Sequence, residues 1–396
     1  MWSAAAWLRP KWHRTPTCRD HVAAAGISTV IPSRNGRSLL ATQFPTLVEQ
    51  TSAAANEIIV VDNGSDDGTA GWLAREYPAV RVVVSSAPLS FACAVNRGIS
   101  VARYSHICLL NNDMLLEAGF FTALLRAFED VPDLFCATAQ IRFPPGVRRE
   151  ETGKAVMAQT TPDDFPVRCD EPLPGEDLTW VLYGSGGCSL YDAAKLRTLG
   201  NLDDAYEPAY VEDMDIGWRA WQQCWPSVYV AGAVVEHRHR ATTSRYYTEA
   251  ELDRVLEINY LRFLVRAVDS PPLFRRLWRE ARERQHRTGR GPDPREAAEL
   301  VFDGGRLVDV RCDEEEFLAL TDGSVAVFPG SGADVLLLVT DLLATPSPEL
   351  LARYRAVVIA RGRLPRLAEK LASRRWPAAT LWLATGDGPA RPLRTT

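Results

Sequence analysis

The chain has 396 residues, 46% of them hydrophobic and 24% charged, with a formal net charge of -5. It is longer than the ~100–200 residues of one ordinary domain, so one large domain with an appendage, or two domains, is expected. The balance excludes a disordered or fibrous chain, and the mild negative charge offers no broad positive field to a phosphate backbone, which argues against nucleic acid as a main partner.

At the N-terminus, MWSAAAWLRPKWHRTP has an apolar stretch cut short by Arg9, Pro10 and Lys11, too brief and wrongly flanked for a signal peptide. Residues 1–26 therefore read as an extension. No window reaches the ~18–20 uninterrupted apolar residues of a membrane span, and the nearest, VLLLVTDLLA, is broken by Asp341. The eight cysteines are scattered with no C-x-x-C pair, which suggests neither a zinc ribbon nor a disulfide scaffold. A reducing cytoplasmic setting fits that usage.

From Ile27 onward, short β-branched runs alternate with longer amphipathic stretches. ISTVI (27–31), EIIVV (57–61), VRVVV (80–84) and ICLL (107–110) read as strands. Phe91, Val95, Ile99 and Ala102 form one helical stripe, and Phe120, Phe121, Leu124, Leu125 and Phe128 another. Such alternation predicts an α/β fold with a parallel, helix-covered sheet. Within 37–50 a helix is expected to be kinked or split by Pro45. Residues 140–180, with six prolines and little periodicity, read as a long irregular excursion. Then VLYGSGGCSLY (181–191) reads as a glycine-interrupted strand, 213–224 as a helix and SVYVAGAVV (227–235) as a strand. The charged stretch 271–298 reads as a solvated helix and linker. Beyond it, VLLLV (335–339), AVVIA (356–360) and TLWLA (380–384) suggest a small C-terminal α/β unit over 299–396 without chemical residues of its own.

In an open parallel sheet, ligands bind at the carboxyl ends of the strands, where loops and helix N-termini converge. The polar clusters fall there: Pro32-Ser33-Arg34-Asn35-Gly36, Asp62-Asn63-Gly64-Ser65-Asp66-Asp67-Gly68 and Asn111-Asn112-Asp113. Turn chemistry alone would explain one such loop, but three in series favour a site for a polar ligand. Neither G-x-x-x-x-G-K-[ST] nor G-x-G-x-x-G follows the first strand, so the loops are not those of an ATPase or a dinucleotide enzyme.

VIPSRNG, VVDNGSDDGT, SFACAVNRGI, LLNNDM, GSGGCSL, AYVEDMDIGWR and VVEHRHR, in this order and spacing, resemble the family 2 glycosyltransferases, especially their rhamnosyltransferase-like branch. The resemblance covers about residues 27–265. It implies a GT-A, Rossmann-like, mostly parallel sheet with helices on both faces, in a glycosyltransferase domain over 27–270. It also implies inverting transfer of a sugar from a nucleotide diphosphate donor to a hydroxyl acceptor. Departure of Asn111 from the family's D-x-D metal motif leaves Asp113 as its acidic position, with fewer protein charges for a Mn2+ or Mg2+ ion.

By that resemblance Asp62 meets the base and ribose, although capping a turn is an equal reading of it. Pro32, Asn35, Asn63, Ser65, Asn96 and Asn112 fall in the same donor-binding motifs, and Arg34 and Arg97 could fork onto diphosphate oxygens. His237 matches a position that joins the metal or diphosphate. Asp213 matches the general base, with Glu212 its neighbour, while acids in a first helical turn are also expected from the helix dipole. Asp215 and Arg219, at i and i+4, read as a structural ion pair. Met214, Trp218, Trp221 and Trp225 mark a buried stripe, and Gly217, Ala220 and Cys224 should leave room beside Asp213. Gly186, Gly187 and Trp218 are expected in the acceptor or sugar pocket. The branch further implies a dTDP- or UDP-sugar donor such as rhamnose. It also implies a glycan or lipid-linked acceptor of cell-envelope polysaccharide synthesis, met at the cytoplasmic face of a membrane by peripheral association. A sugar-phosphate nucleotidyltransferase would need a G-x-G-T-R loop that IPSRNGRSLL does not supply, and an inactive donor-binding module is opposed by the retained Asp113, Asp213 and His237.

Overall fold

The structure is a computed structural model that describes residues 24–51, 56–142, 177–237, 245–268 and 271–292, with five short strands between 325 and 392. For 271–275 and those five strands it describes the backbone alone. Residues 1–23 of the N-terminal extension, 143–176 of the 140–180 excursion, 238–244 and most of the C-terminal unit lie outside the described residues.

Strand and helix alternate as the β-branched runs predict: β1 (Ala24–Ser33), α1 (Arg37–Thr51), β2 (Asn56–Asn63), α2 (Thr69–Glu76), β3 (Arg81–Ser85), α3 (Phe91–Val101) and β4 (Tyr104–Leu110). Next come β5 (Met114–Leu116), α4 (Phe120–Asp130), β6 (Cys136–Arg142), β7 (Trp180–Val181), β8 (Cys188–Asp192) and α5 (Ala193–Thr198). Then α6 (Glu212–Gln222), β9 (Ser227–His237), α7 (Glu249–Ala267) and α8 (Pro271–Thr288) complete this part. The sheet runs in the order β3-β2-β1-β4-β8-β6-β9-β5, with β7 also on β9. Through β4 all pairings are parallel. Beyond β4 the sheet is mixed, because β8 runs against both β4 and β6 while β6 and β9 are parallel.

Period-two alternation assigns each strand residue to one of two cores. Ile27, Ile31, Ile58, Val60, Cys108 and Leu110 pack with Phe44, Leu73, Phe120 and Leu124 from α1, α2 and α4. On the opposite face Val30, Ile59, Val61, Ile107 and Leu109 pack with Val95, Ile99, Leu196, Ile216 and Ala220 from α3, α5 and α6. Each of these larger side chains contributes about 1.5–3 kcal/mol by leaving water. Helices therefore cover both faces, as an α/β sheet with a doubly wound parallel half requires.

A second sheet holds β10 (Val325–Phe328), β11 (Leu336–Val339), β12 (Ala356–Ile359), β13 (Thr380–Leu383) and β14 (Arg391–Pro392) in chain order. Its central three strands, mutually parallel, are the runs legible in the sequence.

Three local expectations change. Helix α1 continues through Pro45, which lies on the exposed side while Phe44 and Leu47 anchor the buried one. The carbonyl deprived of its N–H partner there can turn to water. On α6 the buried line is Glu212, Met214, Ile216, Gly217 and Ala220, and Trp218, Trp221 and Trp225 are only half-buried. Gly217 lets α6 approach the Leu182–Tyr183 segment closely, and Ile216 and Ala220 face the core beneath the sheet, while the indoles lie to the flanks. Trp218 packs edge-on against Phe263 of α7, and Trp221 meets Trp180 and donates from Nε1 to the Val181 carbonyl.

Nor is α8 a solvated helix, since Leu277, Trp278 and Ala281 are buried on it. Its Arg284, with a side chain 1% exposed, donates to both oxygens of Glu257 on α7, at 2.9 and 2.6 Å. Gln285 donates to the same carboxylate at 3.0 Å. Removing one member of a buried pair leaves the other charge without compensation, so Arg284→Ala should cost about 3–5 kcal/mol in urea unfolding. The double replacement Glu257→Leu, Arg284→Met should cost clearly less, and equal losses would show that the charge pairing is not what the pair contributes.

Candidate active site

Because β1, β2 and β4 run parallel with Ser33 beside Asp62, their carboxyl ends open at one edge and their loops touch. Ser33 ends β1, and its hydroxyl accepts from Asn112 Nδ2 at 2.9 Å. Gly36 makes this approach possible, since a Cβ there would lie 2.3 Å from both Asn112 Nδ2 and Ser33 Oγ. Asn35, at φ 49°, receives the Asp66 N–H on Oδ1 and gives its own N–H to Ser65 Oγ. Asp62 is 3% exposed and accepts from the Ser65 N–H at 3.2 Å, so the turn-capping role is filled.

A later segment closes on this network. Asn35 Nδ2 donates to the Tyr246 hydroxyl at 3.0 Å and Arg245 Nη1 to the Asn35 carbonyl at 2.7 Å. The Arg34 guanidinium lies 3.9 Å from the centre of the Tyr246 ring, and its Nε is buried with no hydrogen-bond partner. Beside it opens a cavity of about 650 Å³ lined by Asn35, Asp66, Asp67, Trp72, Arg245 and Tyr246, among others. Asp113, Asp213 and His237 are not among its lining residues.

The turn after β4 joins that network to the acids. Gln43 on α1 donates from Nε2 to the carbonyls of Asn111 and Met114, at 2.6 and 2.9 Å. Between them stands Asp113, buried, with Oδ1 3.4 Å from His237 Nε2. The β5–β9 pairing that sets Met114 opposite His237 dictates this meeting of residues 124 positions apart. On the other side the Asn111 N–H donates to the Gly187 carbonyl, and a Cβ on Gly187 would strike Asn111 Nδ2 at 2.4 Å. The neighbouring Gly186 N–H donates to Asp213 Oδ2 at 3.2 Å. Asp113 and Asp213 thus belong to one continuous run of contacts. Room beside Asp213 does not come from Gly217, whose missing side chain is occupied by Leu182 and Tyr183.

At the head of α6, Glu212 is 4% exposed and its Oε2 has no partner. Burial, reinforced by the Asp213 charge, holds its carboxyl well above the usual range, so it is the neutral member of the pair. Asp215 is bound by Arg219 at 2.7 Å and by the Tyr206 hydroxyl, the ion pair read from their spacing. Burial outweighs Arg219 and raises its carboxyl.

Pro32, Arg34, Asn35, Asp62, Asn63, Ser65 and Asn112 therefore lie on adjoining strand-end loops, and Asp113, His237, Gly186, Gly187, Glu212 and Asp213 continue from them. Three expected residues do not join. Asn96 engages both ends of its amide with the Leu202 backbone, Arg97 is exposed on α3, and Trp218 is taken up by α7. Asn63 likewise clamps Leu89 through both ends of its amide. Gln43 and Tyr246 lie outside every motif read from the sequence, and nothing local marks them, because their partners are 68 and 211 residues away.

Among the described residues no group of three or more His, Cys, Asp or Glu side chains could hold a metal. One carboxylate and one imidazole, close enough to share a cation, suit a divalent ion whose remaining ligands are phosphate oxygens and water.

Residues 28–200 match the family model described as glycosyl transferase family 2. An N-acetylglucosaminyl-diphospho-decaprenol L-rhamnosyltransferase of Mycobacterium tuberculosis is 28% identical over 213 residues, covering 48% of this chain and 68% of its own. An uncharacterized glycosyltransferase of Escherichia coli, YibD, is 30% identical over 162 residues, covering 40% of this chain and 43% of its own. Among solved structures, Staphylococcus aureus TarS 1-349 in complex with UDP-GlcNAc aligns at 12% identity and TM-score 0.48, covering 75% of this chain and 82% of that one.

Glu212 gives the site a testable pH signature. Its folded carboxyl titrates above its unfolded one, so the stability it lends is complete below the ordinary glutamate range and is lost as pH rises toward the folded value. Glu212→Gln, which cannot ionise, should match wild type in Tm near pH 4 and exceed it at pH 8. A Tm difference independent of pH would show Glu212 ionising normally.

Proposed function

Residues 28–200 match the model of the family 2 glycosyltransferases, and on that basis we propose that the chain transfers a sugar, with inversion, from a nucleotide diphosphate donor to an acceptor hydroxyl. The supporting observation is the run of contacts from the Asp113–His237 pair through Asn111, Gly187 and Gly186 to Asp213. It sets a candidate diphosphate-binding end and a candidate base on one edge of the sheet.

Asp213 is the general base. Its Oδ1 accepts the Met214 N–H at 2.9 Å and its Oδ2 the Gly186 N–H. These two backbone bonds orient the carboxylate, which takes the acceptor's proton. As that proton leaves, the acceptor oxygen attacks the anomeric carbon in line and the nucleotide diphosphate departs from the opposite face. Ser33, Asn35, Asp62 and Ser65 hold the nucleoside end, and Arg34 supplies positive charge to the phosphates. Asp113 and His237 would hold Mn2+ or Mg2+, which when bound neutralises charge on the leaving diphosphate. Most of the rate gain comes from positioning these groups and from matching the developing charge.

For substrates, the mycobacterial relative's name gives L-rhamnose as the sugar and a decaprenyl diphosphate-linked N-acetylglucosamine as the acceptor. That supports a dTDP- or UDP-deoxyhexose donor and a lipid-linked or glycan acceptor here. No helix among the described residues is long and apolar enough to cross a membrane; the lipid-linked acceptor in that relative's name is what supports an encounter at the cytoplasmic membrane face.

A panel of nucleotide sugars assayed for nucleotide release with Mn2+ or Mg2+ tests the reading. Asp213→Asn should lower turnover of the accepted donor about 10²–10⁴-fold while donor affinity stays near wild type; normal turnover would remove Asp213 from its role. Asp113→Ala should weaken metal-dependent donor binding together with turnover, and metal titrations identical to wild type would dismiss the Asp113–His237 site.

A further inference from the structure

Asp213 meets an acceptor only from the position in which the preceding turn holds it, and that turn is not self-supporting. Tyr210 and Val211, immediately before the Glu212–Asp213 pair, have φ of 75° and 80°. Two successive non-glycine residues in the left-handed region, one of them β-branched, persist only where the surroundings over-determine them. Helix α6 starts from this conformation, because the Val211 carbonyl accepts the Asp215 N–H in its first turn.

The Phe91 N–H of α3 holds the Pro208 carbonyl of this turn at 2.8 Å, and α7 holds the carbonyls on either side of it. Asn259, 0% exposed, directs its Nδ2 at three carbonyls of the turn: Ala209 at 2.8 Å, Tyr210 at 3.1 Å and Glu207 at 3.4 Å. An amide NH2 has two hydrogens, so all its donor capacity goes to this one turn. Arg262, one helical turn on, donates from Nη1 to Asn259 Oδ1 at 2.8 Å and fixes the amide's rotation. Packing of α7 is already served by Leu252, Tyr260, Leu261, Phe263 and Leu264. Asparagine favours neither a helix interior nor burial, so an amide here answers to the turn rather than to the helix.

We propose that Asn259 is a positioning residue for Asp213, setting through the 207–211 turn the direction from which the carboxylate meets the acceptor hydroxyl. The proposal rests on the reading of Asp213 as general base. It separates catalysis from donor binding, since Asn259 touches none of the strand-end loops of β1, β2 and β4.

The test compares wild type with Asn259→Ala and with the near-isosteric Asn259→Asp, which replaces the donating group by an acceptor. Steady-state nucleotide release and calorimetric nucleoside diphosphate affinity are measured well below each variant's Tm. Both variants should lose about 10- to 100-fold in kcat, with nucleotide Kd changed by less than about two-fold. A kcat close to wild type, or a Kd that weakens in parallel with kcat, overturns the proposal. Should neither variant fold, Arg262→Ala decides: it frees the amide without touching the turn, and an unchanged kcat is equally fatal. Asp213→Asn in the same assay separates the two claims. If it is inactive while Asn259→Ala is unimpaired, the clamp alone fails; if it is as active as wild type, the base assignment fails and the clamp with it.

Discussion

The turn between β4 and β5 is held from three directions, and the arrangement of the site follows from that. Gln43 reaches from α1 to both of its terminal carbonyls, Ser33 takes the Asn112 amide from the side of β1, and Gly187 receives the Asn111 N–H from the side of β8. None of these bonds is strong alone, at about 0.5–1.5 kcal/mol net each. Together they leave the backbone around Asp113 no alternative conformation that keeps its buried polar groups satisfied. The candidate donor-binding loops on one side and Asp213, the proposed base, on the other are therefore positioned relative to a common segment. Groups placed in advance do not have to be reorganised as charge develops, which is where such sites gain most of their rate.

The sequence made the parallel half of the sheet readable because three signals coincide there: β-branched runs, amphipathic stripes, and Asn, Asp and Gly directly after each strand. The Asp215–Arg219 pair was readable for the same reason, since both partners are local. Long-range closure was not. Tyr246 touches Asn35 across 211 positions and Asn259 touches Ala209 across 50, and no periodicity encodes either distance. The tryptophans of α6 misled differently, because hydrophobicity was taken for burial. Here Ile216 and Ala220 enter the core, Gly217 packs on Leu182 and Tyr183, and the largest apolar rings lie to the side.

Asn63 and Asn96 show how much a motif's polar residues can be structural. Each binds a distant backbone segment through donor and acceptor at once, Asn63 to Leu89 and Asn96 to Leu202. They brace the loops that border the cleft, a role that resemblance alone would have merged with direct contact to the donor. Arg34 differs, for its cation sits on the Tyr246 ring with one nitrogen buried and unengaged, and it retains donor capacity for a ligand.

Strand β8 runs against β4, with Cys188 set beside Leu110. A reversed neighbour delivers its beginning, rather than its end, to the rim where the parallel strands finish. The glycine turn leading into β8 is therefore the chain's approach to that rim, where the Gly187 carbonyl meets the Asn111 N–H. Strand polarity alone thus brings a chain segment travelling the other way to the same edge as the ends of β1, β2 and β4.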